Sequence, residues 1–235
     1  MDSQNTAVLT GVGREGQVGE AVARAFAKAG IAVALLDRSE ERAAARAAAL
    51  SAEGHSAEGY GCDLADASSL AATGQRIRSR FGDGVSCLVH MAGGFAASGP
   101  VSESDIEVWR EQLRINLETA YLTCREFLPV IRARKGAIVL FASQAALPGA
   151  TPAGLSAYAA AKAGVIALMR AMAAEERKNG VRANAIAPNA IRTASNVASM
   201  GDKGSYVALE DVANAAVFLC SDDARAITGQ IIALG

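Results

Sequence analysis

Histidine and cysteine are scarce in this 235-residue chain, which has two of the first and four of the second. Cys62, Cys87, Cys124 and Cys220 form no CxxC pair, so neither a zinc site nor a redox motif is suggested and they read as buried, reduced thiols. His55 and His90 share no ligand spacing with each other or with the cysteines, and no metal is expected. Excess charge is missing as well. Lys plus Arg number 23 and Asp plus Glu 24, a formal net charge of -1, which excludes the basic field that draws a chain to nucleic acid or an anionic membrane. Apolar runs are short, Ile31 to Leu36 being typical, and fall below the ~20 residues of a membrane span. Met1 to Asn5 is polar and carries no charged-then-apolar leader pattern. The expectation is a soluble, cytoplasmic protein whose partners include neither nucleic acid nor membrane.

What is present is a core. Hydrophobic residues make up 51% and charged residues 20%, the balance of a folded globule. Strand-like segments fall at Ala7–Thr10, Ile31–Leu36, Ala57–Cys62, Val85–His90, Ala137–Phe141, Arg182–Ile186 and Ile231–Leu234. Helical periodicity fills the gaps at Gly19–Ala29, Glu40–Ala52 (with Ser39 as N-cap), Ala67–Arg80, Ile106–Ala133, Leu155–Asn179 and Glu210–Leu219. Gly30 and Gly180 read as left-handed helix stops leading into strands. Strict strand–helix alternation predicts an α/β, Rossmann-type doubly wound sheet of seven parallel strands with helices on both faces, in one domain spanning 1–235. Pro188 to Ala208 lacks clear periodicity and is the candidate for a mobile lid.

Thr10 to Gly19 reads TGVGREGQVG between a strand and a helix, so its glycines allow a pyrophosphate to approach a helix N-terminus. Gly11, Gly13 and Gly19 are the favoured contacts. A tight connection with no ligand is the plainer alternative. Asp37 ends the second strand, where a carboxylate accepts hydrogen bonds from adenosine ribose hydroxyls. A 2′-phosphate would be repelled there, which favours NAD, although Arg14 and Arg38 leave NADP possible. Asp37 could equally be a simple helix-flanking carboxylate near Ser39.

Tyr158 and Lys162 stand one helical turn apart on one face. A free phenol has a pKa near ~10, and an ammonium at roughly 4.5 Å would favour its phenolate by about 3–4 kcal/mol before burial opposes it. A depressed tyrosine pKa is the expectation. Alone, such a pair is more often a plain surface contact. The full set resembles the short-chain dehydrogenase/reductase family over essentially the whole chain. The matching segments are the glycine turn, Asp63-Leu64, Ala92-Gly93, Asn116, Ser143, Tyr158 with Lys162, and Pro188 followed by Ile191 and Thr193. The resemblance implies an NAD(P)-dependent oxidoreductase moving a hydride between its cofactor and a small carbonyl or alcohol substrate. It gives Tyr158 the role of general acid and base, and Lys162 those of holding the nicotinamide ribose and lowering the phenol pKa. It has Ser143 bind the substrate oxygen and Asn116 anchor a water relay. It also implies a homo-oligomer, dimer or tetramer, packed through the helices at Ile106–Ala133 and Leu155–Asn179.

The chain departs from the family in several places. Its glycine turn is about two residues longer than the usual one, with Arg14 and Glu15 in the extra length. His90-Met91-Ala92-Gly93 stands where the family has Asn-Asn-Ala-Gly, and Pro188-Asn189 where it has Pro-Gly. His90 reads as a satisfied buried histidine and not as a catalytic one. These departures keep a non-catalytic dinucleotide-binding sensor or scaffold open, while a lyase or epimerase with transient hydride transfer would leave the same residues in place.

Overall fold

The computed structural model describes residues 5–235; Met1–Gln4, most of the polar opening segment discussed above, lie outside the described residues. Seven strands, β1 (Thr6–Thr10), β2 (Ala32–Asp37), β3 (Ala57–Gly61), β4 (Val85–His90), β5 (Ala137–Phe141), β6 (Arg182–Pro188) and β7 (Ile231–Leu234), form one sheet. Its order is β3-β2-β1-β4-β5-β6-β7, and every pairing is parallel. Side chains alternate between its faces with the period of two that a strand imposes. On one face Val8, Ala34, Leu36, Leu88 and Leu140 join α3 (Ala67–Phe81), α5 (Thr119–Ala133) and α6 (Ser156–Glu175). On the other Leu9, Val33, Leu35, Val89 and Val139 join α1 (Val18–Lys28), α2 (Glu40–Ala52) and α8 (Leu209–Cys220). Among the described residues α6 alone is long and apolar enough to cross a membrane. Its apolarity serves the core, where Ala161, Val165, Met169 and Met172 are buried.

Three readings of the sequence are corrected. The segment Ile106–Ala133 is not one helix: α4 (Ile106–Leu113) passes through a π turn at Arg114–Glu118 before α5 begins. Leu155–Asn179 resolves into α6 and a 3-10 turn, Arg177–Asn179, which Gly180 ends at φ +79. The stretch Pro188–Ala208 contains helix α7 (Ala194–Met200) and a parallel bridge between Ile191 and Val207, so it is partly ordered by its own bonds. Gly30 takes φ +78 directly after α1, as a helix stop leading into β2 requires.

The strand order reverses between β1 and β4, whose carboxyl ends splay the following loops to opposite sides. In such sheets that crevice is where ligands bind.

Candidate active site

A cleft of about 590 Å³ opens at that crevice, a volume in the range of small-molecule and cofactor sites. Gly11, Gly19, Asp37, Asp63, Leu64, Ala92, Gly93, Asn116, Tyr158, Lys162, Pro188 and Ile191 all line it. Chain segments remote in sequence are brought together there by the parallel topology.

The glycine turn is shaped by contact. Gly11 adopts φ +75, and a Cβ on it would stand 3.0 Å from Ala92 Cα, so the turn lies directly on the loop after β4. A Cβ on Gly19 would meet the Gly11 carbonyl oxygen at 2.3 Å. The Gln17 side chain does not cap α1, and the first-turn carboxylate of Glu20 accepts instead from Gly16 N, so the first-turn N–H groups are left for an anion. Gly13 departs from the expected role. It is absent from the cleft wall, its N–H donates to Asp37 Oδ2 at 3.0 Å, and a Cβ there would sit 2.4 Å from Asp37 Cγ. Gly13 is therefore a glycine because Asp37 needs the space. The other Asp37 oxygen accepts from Ser39 N at 3.0 Å and Arg42 Nη2 at 3.2 Å. These bonds fix the carboxylate on the cleft wall beside Arg14, Arg38 and Arg42. Asp63 Oδ1 accepts from Ala65 N at 3.0 Å, a local turn that holds Leu64 against the same wall.

At the other end α6 presents Tyr158 and Lys162. Lys162 is 6% exposed, and its ammonium donates to the Phe141 carbonyl at 2.8 Å, 5.9 Å from the Tyr158 ring centroid. Burial pushes its pKa down to about 8. The phenol is shifted the opposite way from the sequence expectation. Burial raises the Tyr158 pKa, and a hydrogen bond with Ser143 opposes that rise. Helical spacing was read correctly, but the ammonium is turned to a carbonyl and desolvation outweighs its pull on the phenol. Ser143 does not line the cleft; its Oγ accepts from Ala145 N at 3.2 Å, capping a 3-10 turn while it touches the phenol.

Asn116 sits in the π turn and is 1% exposed. Its Oδ1 accepts from Gly94 N at 3.2 Å, and its Nδ2 donates to Gly94 O at 3.0 Å and Gln112 O at 3.1 Å. The side chain thus clamps the loop after β4. A Cβ on Gly93 would collide with Asn116 Oδ1 at 2.4 Å, which explains the glycine. Thr193 is also absent from the cleft wall. It is 4% exposed and caps α7, its Oγ1 accepting from Asn196 N at 3.2 Å.

His90 is buried between two threonines, with Thr10 Oγ1 at 3.2 Å from Nδ1 and Thr119 Oγ1 at 3.4 Å from Nε2. Burial, with the nearby Lys162 charge adding to it, lowers its pKa to about 3, so the imidazole is neutral. Sequence reasoning missed Phe95, Phe141 and Arg42. Phe95 follows a glycine pair directly after a strand, a cue that was available; the use of the Phe141 carbonyl leaves no trace in residue type.

A family model described as enoyl-(acyl carrier protein) reductase matches residues 11–234. D-threitol dehydrogenase of Mycolicibacterium smegmatis is 34% identical over 224 residues, spanning 90% of this chain and 85% of that protein. A solved structure assigned as a short-chain dehydrogenase/reductase, from Burkholderia xenovorans, superposes with a TM-score of 0.87 at 34% identity, covering 98% of this chain and 94% of that one. Another, assigned as an NAD(P)-dependent gluconate 5-dehydrogenase from Beutenbergia cavernae and holding NADP, gives a TM-score of 0.86 at 33% identity. It covers 97% of this chain and 94% of that one.

Proposed function

The chain belongs to the short-chain dehydrogenase/reductase family and is an NAD(P)-dependent oxidoreductase acting on alcohol or carbonyl substrates; from that premise we propose the part each residue plays. A non-catalytic sensor or scaffold has no support among the relatives above. The cleft residues fit a dinucleotide on three features: the uncapped start of α1, the Gly11 and Gly19 contacts that hold the turn close to β4, and the fixed Asp37 carboxylate. The first two would carry the pyrophosphate and Asp37 the adenosine ribose, with Asp63 and Leu64 beside the adenine. Ala92, Gly93, Lys162, Pro188 and Ile191 would hold the nicotinamide half, and Thr193 would act through the backbone it orders.

When bound, the nicotinamide supplies or takes up a hydride. The chain supplies the proton. Tyr158 gives it to the carbonyl oxygen during reduction and removes it from the alcohol during oxidation, while Ser143 hydrogen-bonds the same oxygen. Lys162, whose pKa stands near 8, can hold or release a proton close to neutrality one helical turn from Tyr158. Asn116 acts by holding Gly94 and the π turn in place, which fixes the loop that borders both.

NAD is the preferred cofactor, because the Asp37 carboxylate would repel a 2′-phosphate on the ribose it binds; the three arginines beside it temper that preference. Exposed Ile106 and Trp109 on α4 and Tyr121 on α5 support a homo-oligomer, dimer or tetramer, built through these helices. The domain spans 1–235 and works in the cytoplasm. The reading rests chiefly on the Ser143 hydroxyl bonded to the half-buried Tyr158 phenol, whose helix neighbour is the buried Lys162. Alcohol oxidation by NAD⁺ in the wild type and in Tyr158→Phe tests it. Turnover should fall by at least about a hundredfold in the variant with NADH affinity unchanged; equal turnover removes Tyr158 from the chemistry.

A further inference from the structure

Phe95 stands beside the catalytic phenol on a strap pinned at both ends. On one side Gly94 exchanges two hydrogen bonds with Asn116. On the other, Ser98 N donates to Gly154 O at 2.8 Å, and Ser98 Oγ lies 3.2 Å from Ser156 Oγ, at the first turn of α6. Between these anchors the Phe95 ring meets the Tyr158 ring edge to face, centroids 5.1 Å apart at 77°. Yet it is 66% exposed. An aromatic ring held in place against the half-buried Tyr158 ring, with most of its own surface in water, offers an apolar wall beside the catalytic phenol.

Its neighbours keep that wall uncharged. Met91, Ala92, Ile115 and Phe141 share the cleft, and the Lys162 ammonium, 5.9 Å from the Tyr158 ring centroid, is tied to a carbonyl. The charged lining gathers elsewhere, since Arg38 acts on Glu111 and Asp63 on Arg114, at the end where β2 and β3 finish. A polyol would lose water from its hydroxyls against Phe95 and gain no partner there, whereas a ring of methylenes or an aromatic ring would lose none.

We propose that Phe95 forms a substrate subsite selecting neutral secondary alcohols and ketones whose reacting carbon lies in, or next to, an apolar ring. The proposal rests on the dehydrogenase reading above. Steady-state oxidation of cyclohexanol, 2-propanol and xylitol by wild type, Phe95→Leu and Phe95→Ala tests it. The wild type should favour cyclohexanol in kcat/KM. Phe95→Ala should lose about tenfold on cyclohexanol and less than about threefold on 2-propanol, with Phe95→Leu between. Equal losses on both would make Phe95 a support for Tyr158, and no loss on either, or a wild-type preference for xylitol, would remove the subsite; each result overturns the proposal.

If the wild type oxidises none of the three, the dehydrogenase reading fails first, and binding then judges the subsite separately. Saturation-transfer NMR of cyclohexanone in the presence of NAD⁺ should give a signal with the wild type that Phe95→Ala loses at unchanged circular dichroism. No wild-type signal, or equal signals, overturns the proposal.

Discussion

The two ends of the cleft are built by opposite means. Around Tyr158 the polar groups are buried and bonded within the chain: Lys162 to a carbonyl, Asn116 to Gly94, His90 to two threonines. Around Asp37 the charges reach solvent, as in the Arg42 ion pair, whose guanidinium side is 50% exposed. Removing a buried partner strands the other and costs about 1–3 kcal/mol, whereas exposed ion pairs are worth ~1 kcal/mol or less. The chemistry is therefore held rigidly, and the preference between cofactors rests on contacts that one substitution can shift.

Four substitutions probe that contrast, in order of expected effect. Lys162→Met should cut turnover by about a hundredfold or more while removing a buried charge. Its sign in stability is set by linkage. The ammonium titrates near 8 in the folded chain against 10.5 ordinarily, so the folding penalty is complete below pH 8 and fades as pH rises to 10.5. Urea midpoints of the wild type should climb across that window and those of the variant should not. A variant that climbs equally would mean that Lys162 is not desolvated.

His90→Asn comes next. With a folded pKa near 3 against 6.5 ordinarily, the unfolded chain binds a proton that the folded chain refuses. Wild-type stability should fall by up to about 1.4 kcal/mol per pH unit below 6.5 from this group, and the variant's should fall less steeply. Parallel slopes would remove His90 from the buried set. Asp37→Asn should move the ratio of NADPH to NADH affinity about tenfold towards NADPH, read by fluorescence titration; an unchanged ratio would assign the choice to Arg14 and Arg38. Smallest of all, Glu107→Ala breaks an ion pair with Arg110 in which both side chains are 67% exposed, and should change stability by less than about 0.5 kcal/mol. A loss above about 1 kcal/mol would blur the line between exposed and buried pairs.

Much of this was legible in the residues. Most β-segments were marked by a short apolar run between helical periods, β3 with its Glu58 and two glycines being the exception, and the strands fall within one or two residues of their expected limits. The π turn was not legible, because hydrophobic periodicity runs through Ile106–Ala133 without a break; the turn arises where Asn116 bonds to Gly94 from a distant loop. Gly13 shows a related limit. A glycine's type reveals that space is needed, and not whether a phosphate or a neighbouring carboxylate takes it. For Tyr158 and Lys162 the spacing gave their proximity, but burial decided the direction of both pKa shifts, and burial belongs to the assembled core.

The histidine between the threonines has only one way to place its protons. Thr119 Oγ1 donates to the Ile115 carbonyl at 2.8 Å, so it can only accept from Nε2; Thr10 Oγ1 accepts from Met91 N and Ala92 N at 3.1 Å, and its hydrogen goes to Nδ1. The imidazole is locked as the Nε2–H tautomer, and the donors point in one sense from β1 through β4 to the π turn. A chain with that polarity cannot relay a proton in reverse without every member rotating. The chain of bonds ends on backbone amides at one side and on the Ile115 carbonyl at the other, groups that neither give up nor take a proton near neutrality, so it holds the ring and the loop after β4 in place without carrying a proton to the cleft.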